Sequence, residues 1–437
     1  MNLYVGIDLG TSGCRAIAID ATGTEHARSA VAFPEPLRRG PEVEQDPDIW
    51  WQATCAVIRG LVSQNPDACI AGIAVDGTSG TLLLADDRGN PLGRALMYND
   101  ARSQPEAAVI ASCAPAESGA HGASSSLAKL LWLQRRGDTG RARYALHQAD
   151  WIGGRLAGVY GVCDYNNALK LGYDAVQLAW PDWLRTLPIR QQLLPDVVAP
   201  GDTIATVDAT VADALSLSRE ARVIAGTTDS VAAFCATGAV DIGDAVTSLG
   251  STLVLKILAQ SPVYAPEYGV YSHRFGDRWL VGGASNSGGA VLRQYFSDAR
   301  MAALSDQIHP ETPTGLDYYP LPATGERFPV ADPALEARVT PRPADDALFF
   351  QGLLEGIARI ESAGYRQLAA LSAPFPRTLR SVGTGSKNAR WTTLRRIMLG
   401  VPFVPARHSE AAYGAALIAR NGCTGRAGFA MDTLSGQ

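Results

Sequence analysis

The sequence predicts an α/β protein of two lobes with an active-site cleft between them. Three observations carry this prediction. Apolar strand-like runs alternate with helical periodicities along the 437 residues, the pattern of layered α/β architecture. Strand-like runs end repeatedly in turns of Gly, Ser and Thr, at Gly10-Thr11-Ser12-Gly13, Gly77-Thr78-Ser79-Gly80 and Gly250-Ser251-Thr252. The strand pattern restarts near Gly243, which places the lobe boundary near residue 240. Hydrophobic residues make up 46% of the chain and charged residues 19%, enough for a large core and unlike a disordered chain.

Residues 3–8 and 14–20 read as strands joined by the first turn. Residues 47–61 read as a helix, with Pro47 at an early position and Ile49, Trp50, Ala53, Val57 and Ile58 at helical spacing. A buried strand over 70–76 ends in Asp76, and the second turn leads into 82–86, which reads as a second hairpin. Residues 127–135 form an amphipathic helix behind the cap region Ser124-Ser125-Ser126. Residues 222–226 are a strand, followed by Thr227-Thr228-Asp229-Ser230 and a small-residue helix over 231–238. Asp229 therefore stands at a helix N-terminus, where the local dipole favours a carboxylate. Residues 245–249 and 253–255 repeat the hairpin, and 279–281 run into a Gly- and Ser-rich stretch. Residues 309–346, rich in Pro and polar groups, read as irregular. A long helix over 349–368, a strand over 379–382 ending in Gly383-Thr384-Gly385, and helices over 388–399 and 410–419 complete the chain.

Composition excludes several functions. A net charge of −5 lacks the basic excess of a nucleic-acid binder. No apolar run is long enough to span a bilayer, and the N-terminus lacks the basic and apolar regions of a secretion signal. Seven scattered cysteines form no C-x-x-C pair, and six histidines show no zinc-ligand spacing. A cytoplasmic protein with reduced thiols is expected. Neither a Walker A loop nor the protein-kinase motif set is present.

The remaining chemistry is that of phosphoryl transfer, which needs charge-stabilising donors, Mg²⁺ and a base for the acceptor hydroxyl. Thr11, Ser12, Gly13, Gly250, Ser251 and Thr252 offer donors, Asp8 a metal-side carboxylate and Asp229 a base. Each alone fits a tight turn, an Asx-type bond or a helix cap equally well. Their combination and order carry the argument.

That order is specific. Asp8-Leu9-Gly10-Thr11-Ser12, Gly226-Thr227-Thr228-Asp229, Ser248-Leu249-Gly250-Ser251-Thr252, Gly383-Thr384-Gly385-Ser386-Lys387-Asn388 and Glu410-Ala411-Ala412-Tyr413-Gly414-Ala415-Ala416 follow one another. Together they resemble the FGGY carbohydrate kinases of the actin-like ATPase superfamily, over nearly the whole chain. The resemblance implies two ribonuclease-H-like domains flanking the cleft. Residues 1–240 would form the sugar-side domain, completed by a C-terminal helix within 410–437, and 241–409 the nucleotide-side domain. It implies ATP and a small-molecule sugar as substrates, with Mg²⁺ held near Asp8 through water. Asp8 and Thr11 would serve catalysis, with Thr11, Ser12 and Gly13 near the transferred phosphate. Asp229 would be the general base, and the final helix would pack on the N-terminal domain. Gly250, Ser251 and Thr252 would hold the ATP phosphates, and Gly383, Thr384, Gly385 and Asn388 the adenosine. Many relatives carry three consecutive glycines where this chain has Thr384.

Departures from the family narrow the sugar. Xylulose kinases typically carry Gly-Gln-Met-His-Gly where this chain has Gly77-Thr78-Ser79-Gly80-Thr81. Asp8, Asp76, Ser79, Asp229 and Ser230 are accordingly expected around a small open-chain ketose. The pattern is most similar to a compact D-ribulose kinase branch, which shares Asn167-Ala168-Leu169-Lys170-Leu171-Gly172-Tyr173 and the 315–322 stretch; both read as mainly structural. Tyr98-Asn99-Asp100 fits either a sugar contact or a loop anchor. The expected reaction is D-ribulose to D-ribulose 5-phosphate. D-xylulose or another polyol is the competing substrate, and a non-catalytic actin-like ATPase or sugar sensor the competing class.

Overall fold

The computed structural model describes residues 1–136 and 139–430, which divide into two compact units. The first comprises Met1–Ala236 and the chain from Glu410 onward, the second Thr237–Ser409.

The first unit is built on a six-stranded sheet in the order Thr203–Thr206, Arg222–Thr228, Cys69–Gly77, Asn2–Leu9, Gly13–Ile19, Glu25–Ala32. Arg222–Thr228, Cys69–Gly77 and Asn2–Leu9 run parallel at its centre. Their near-continuous burial matches strands covered on both faces. Val5 and Ile7 share a core with Trp50, Ile58, Trp151 and Ile152 of the helices Pro47–Gln64 and Gln148–Ala157. Gly6, between them, faces the other way, toward the helix Ala411–Cys423. A Cβ on Gly6 would lie 2.0 Å from the Ala412 carbonyl oxygen, so helix and strand meet backbone to backbone. This helix also packs on Asp229–Ala236, where a Cβ on Gly414 would meet the Ala232 oxygen at 1.9 Å. Residues 431–437 of the expected C-terminal completion lie outside the described residues.

The two repeats of the Gly-Thr-Ser-Gly turn part company here. Asn2–Leu9 and Gly13–Ile19 form the expected antiparallel hairpin. Cys69–Gly77 forms none with the strand that follows it, because it already pairs on both sides with Asn2–Leu9 and Arg222–Thr228. Leu82–Ala85 instead joins a second sheet, ordered Leu37–Arg39, Glu42–Gln45, Ala95–Leu96, Leu82–Ala85, Tyr144–His147.

The second unit carries a five-stranded sheet ordered Tyr271–Phe275, Arg278–Ser285, Leu253–Ala259, Asp244–Leu249, Thr378–Val382. Asp244–Leu249 and Leu253–Ala259 form the expected hairpin around Gly250-Ser251-Thr252. The helix Asp346–Ala370 packs Leu353, Ile357 and Tyr365 into this unit's core. Beneath it, Arg395 meets Glu361 at 2.6 and 2.5 Å with both side chains fully buried, and Thr247 Oγ1 donates to Glu361 at 2.6 Å. The 309–345 stretch is irregular, and Tyr318 packs against Phe349, a structural role as expected.

Candidate active site

Three acids stand at the carboxyl ends of the three central parallel strands. Asp8 is the register partner of Asp76, and Asp76 that of Thr227, two residues before Asp229. In open α/β sheets ligands bind at this strand edge. Asp229 is the first residue of its helix and half-buried, and one of its oxygens accepts the Ser230 N–H at 2.6 Å. Ser230 is likewise half-buried. Asp8 is 8% exposed, with Arg15 at 3.4 Å.

Asp76 is 0% exposed, and neither of its oxygens reaches an N–H or O–H donor. Burial, and then the charges of Asp8 and Asp229, hold its carboxyl well above the usual carboxylate range. Its neutral form is therefore favoured over the carboxylate. Burial also raises Asp8, less so because Asp76 and Arg15 favour its charged form. Asp76 thus lies beside Asp8 on the adjacent strand, away from the surface.

This arrangement sets a pH dependence. A carboxyl raised above its unfolded value of 3.8 binds its proton more tightly in the folded protein. That contribution is full at acid pH and is lost as pH rises through the folded pKa. Asp76→Asn, which cannot ionise, is expected to raise Tm at neutral pH without divalent cations. The gain should shrink toward pH 4, near the unfolded value. A variant less stable than wild type at every pH would refute this account.

Thr11 and Ser12 are exposed at the first turn, where Gly10 N–H donates to the Gly13 carbonyl at 3.0 Å. The second turn has the same four residues but faces inward. Thr78 is buried, its hydroxyl 2.6 Å from Thr81 Oγ1 and donating to Gln148 Oε1 at 2.8 Å. Ser79 Oγ is buried with no partner. The Gln148 helix starts from a capping box in which Asp150 accepts from the His147 N–H at 3.1 Å. His147 also meets Ser126 Oγ at 2.9 Å and Cys163 Sγ at 3.5 Å, so this buried cluster is complete as a hydrogen-bond network. Two lysines hold the turn from outside it. Lys129 Nζ donates to the Gly80 and Met97 carbonyls, each at 2.7 Å, and Lys170 Nζ to the Ser79 carbonyl at 3.3 Å. Sequence reading missed Gln148 and Lys129, and took Lys170 as structural. The detectable signal was Lys129 itself, a lysine within the apolar run Leu127-Ala128-Lys129-Leu130-Leu131. Asp100 is a loop anchor, accepting from Val43 N at 2.6 Å and from Arg102.

In the second unit a cavity of about 640 Å³ is lined by Gly250, Leu292, Thr384, Gly385, Asn388 and Trp391, among others. Four predicted nucleotide residues thus share one cavity; Ser251, Thr252 and Gly383 adjoin these residues in sequence without lining it. The turn is fastened from behind, with Gly289 N–H on the Gly250 carbonyl at 2.9 Å and Ala290 N–H on the Ser251 carbonyl at 3.1 Å. Gly383 has φ +85°, and a Cβ on Gly385 would sit 2.7 Å from the Trp391 ring. The exposed middle position carries neither demand, which is why Thr384 is tolerated there. Asn388 caps the helix Ala389–Leu399, accepting from Trp391 N at 3.0 Å while its amide donates to Ser305 Oγ at 2.8 Å.

Two family models match the chain. They are the N-terminal domain of the FGGY family of carbohydrate kinases, over residues 3–236, and its C-terminal domain, over residues 245–421. The xylulose kinase of Escherichia coli (strain K12) is 24% identical over 410 residues, covering 89% of this chain and 83% of that protein. That of Streptomyces rubiginosus is 28% identical over 460 residues, covering 97% and 88%. A solved structure described as a xyloylose kinase from Brucella ovis superposes with a TM-score of 0.88 at 25% identity, covering 98% of this chain and 92% of the other.

Proposed function

We propose that this chain, which belongs to the FGGY family of carbohydrate kinases, transfers a phosphoryl group from ATP to D-ribulose, giving D-ribulose 5-phosphate. The carrying observation is the acidic strand edge, with Asp229 half-exposed at a helix start beside the buried pair Asp8 and Asp76. In this reading Asp229 accepts the proton of the attacking sugar hydroxyl. Asp8, with Asp76 beside it, holds the metal side. Asp8 and Asp229 offer only oxygen ligands at this strand edge, a donor chemistry that fits a hard cation such as Mg²⁺. When bound there, Mg²⁺ would neutralise charge on the transferring phosphate. Thr11, Ser12 and Gly13 would offer donors to that phosphate, and Gly250, Ser251 and Thr252 to the rest of the triphosphate. The second-unit cavity, with Thr384, Gly385 and Asn388 in its wall, would hold the adenosine.

D-Ribulose is favoured by the small turn at Ser79, where xylulose kinases typically carry a bulky Met-His pair. Asp76 would act on the sugar through Asp8. D-Xylulose is the second reading, favoured by the names of the relatives. Coupled ADP release with both ketoses separates them. The highest kcat/KM is expected with D-ribulose. Turnover of D-ribulose no faster than the sugar-free background would refute it, and turnover of D-xylulose alone would establish the second reading.

A further inference from the structure

One wall of the second-unit cavity is a helix with few anchors of its own. Asp298, Met301, Ala302 and Ser305 line the cavity and recur at the spacing of a single face of the helix Asp298–Ser305. Only Leu304 of this helix is buried outright, and Met301 packs against the core in part. Its ion pairs, Arg300 with Asp346 and Asp298 with Arg293, are exposed and contribute little. Two polar contacts reach its C-terminal end from the neighbouring loop and helix. Asn388 Nδ2 donates to Ser305 Oγ at 2.8 Å, and Arg390 Nη1 to the Ile308 carbonyl at 3.1 Å. The orientation of Asn388 is fixed. Its Oδ1 accepts the Trp391 N–H at 3.0 Å, and a main-chain N–H can only donate, so the NH₂ must face Ser305. Ser305 Oγ in turn donates to the Met301 carbonyl at 2.7 Å, which leaves it a lone pair for the amide. Asn388, Ser305 and Met301 thus form one relay from the predicted nucleotide loop into the wall helix.

We propose that Asn388 is a positioning residue for the nucleotide: by holding Ser305 it fixes the wall helix in place for the adenosine, and it does not read the base. Both the oxygen and the nitrogen of its amide are engaged within the protein, so turning the amide toward a base would break the Trp391 cap or the Ser305 contact. The fixed amide instead sets the wall. A lightly anchored helix would have to be ordered as the nucleotide enters, and that ordering weakens binding. Held beforehand at Ser305, the helix presents Met301 and Ala302 to the cavity without that loss. Asn388, which the sequence ties to the adenosine directly, thus acts on it through Ser305.

The inference rests on the reading of this cavity as the nucleotide site. Ser305→Ala separates positioning from base reading, because it removes the hydroxyl, frees the Asn388 amide and leaves the cap on Trp391 intact. Alanine favours the helix, which keeps the variant folded. Its Kd for ADP, measured by calorimetry without sugar, should rise roughly 3- to 10-fold, the worth of one neutral hydrogen bond. Its Kd for IDP, whose base lacks the exocyclic amino group of adenine, should rise by the same factor. Asn388→Ser keeps a good N-cap residue but is too short to reach Ser305, and should match Ser305→Ala. The double variant should bind no more weakly than either single one, since both break the same contact. Ser305→Thr keeps the hydroxyl and should stay within about twofold of wild type. A base-reading Asn388 gives the opposite pattern: Ser305→Ala leaves ADP binding unchanged or tighter, and Asn388→Ser weakens ADP more than IDP. Either result, or additive losses in the double variant, would overturn the inference, and Ser305→Ala decides it alone even if Asn388→Ser does not fold. Wild-type protein that binds neither nucleotide sinks the nucleotide reading of the cavity and the inference with it. ADP binding without turnover of any ketose sinks only the substrate reading, and the Kd values still judge Asn388.

Discussion

Asp229→Ala is expected to lower kcat for sugar phosphorylation by roughly 10²- to 10⁴-fold, the usual worth of a positioned base. The proposed reading gives this role to Asp229 because it opens a helix and is half-exposed, while Asp76 is fully buried. Its hydrogen bond from Ser230 N–H fixes one oxygen. The cavity proposed for the adenosine is lined by residues of the second unit, so stabilisation by ADP in a thermal-shift assay should survive the substitution. Asp229→Asn keeps the size and the Ser230 bond, and should be nearly as inactive. A freely turning-over alanine variant would remove Asp229 from the role of base.

Arg395→Ala is expected to destabilise the second unit by about 3–5 kcal/mol, the cost of leaving one partner of a buried ion pair alone. Glu361 would keep the Thr247 hydroxyl bond and lose both guanidinium bonds, at 2.6 and 2.5 Å in a fully buried setting. Urea unfolding followed through the second unit measures this. Arg395→Met combined with Glu361→Gln should recover much of the loss, because no buried charge then stands unpaired. A single-variant loss below about 1 kcal/mol, the scale of an exposed pair, would contradict the description.

Much of this architecture was legible because local pattern and tertiary demand agree. The apolar strand ending at Asp8, its exposed turn and the hairpin around Gly250 each follow from nearest neighbours in sequence. The second Gly-Thr-Ser-Gly shows where that logic stops. Its four residues match the first copy, but its strand is flanked on both sides by parallel partners. One partner, Arg222–Thr228, lies far away in sequence. Leu82–Ala85 likewise pairs with Tyr144–His147, a partner no local pattern points to. The burial of Asp76 beside Asp8 depends on the register between two distant strands, so sequence placed it at the sugar on equal terms with the others. Lys170 and Gln148 hold the second turn through the Ser79 carbonyl and the Thr78 N–H, contacts that leave no mark on residue spacing. Asn388 was tied to adenosine by motif, and its work as a helix cap comes from the residues after it.

The close seat of the helix Ala411–Cys423 on Gly6 has a consequence for the order of synthesis. The strand that carries Asp8 is made early, whereas the helix that covers it follows only after the whole second unit. Until then the strand around Gly6 lacks its covering helix, and the helix that begins with Asp229 lacks a packing partner. Every acid of the site is in place along the nascent chain long before the scaffold that aims it is complete. The molecule's ability to spend ATP is thereby tied to finished copies, and a ribosome stalled within the second unit would release an inert chain.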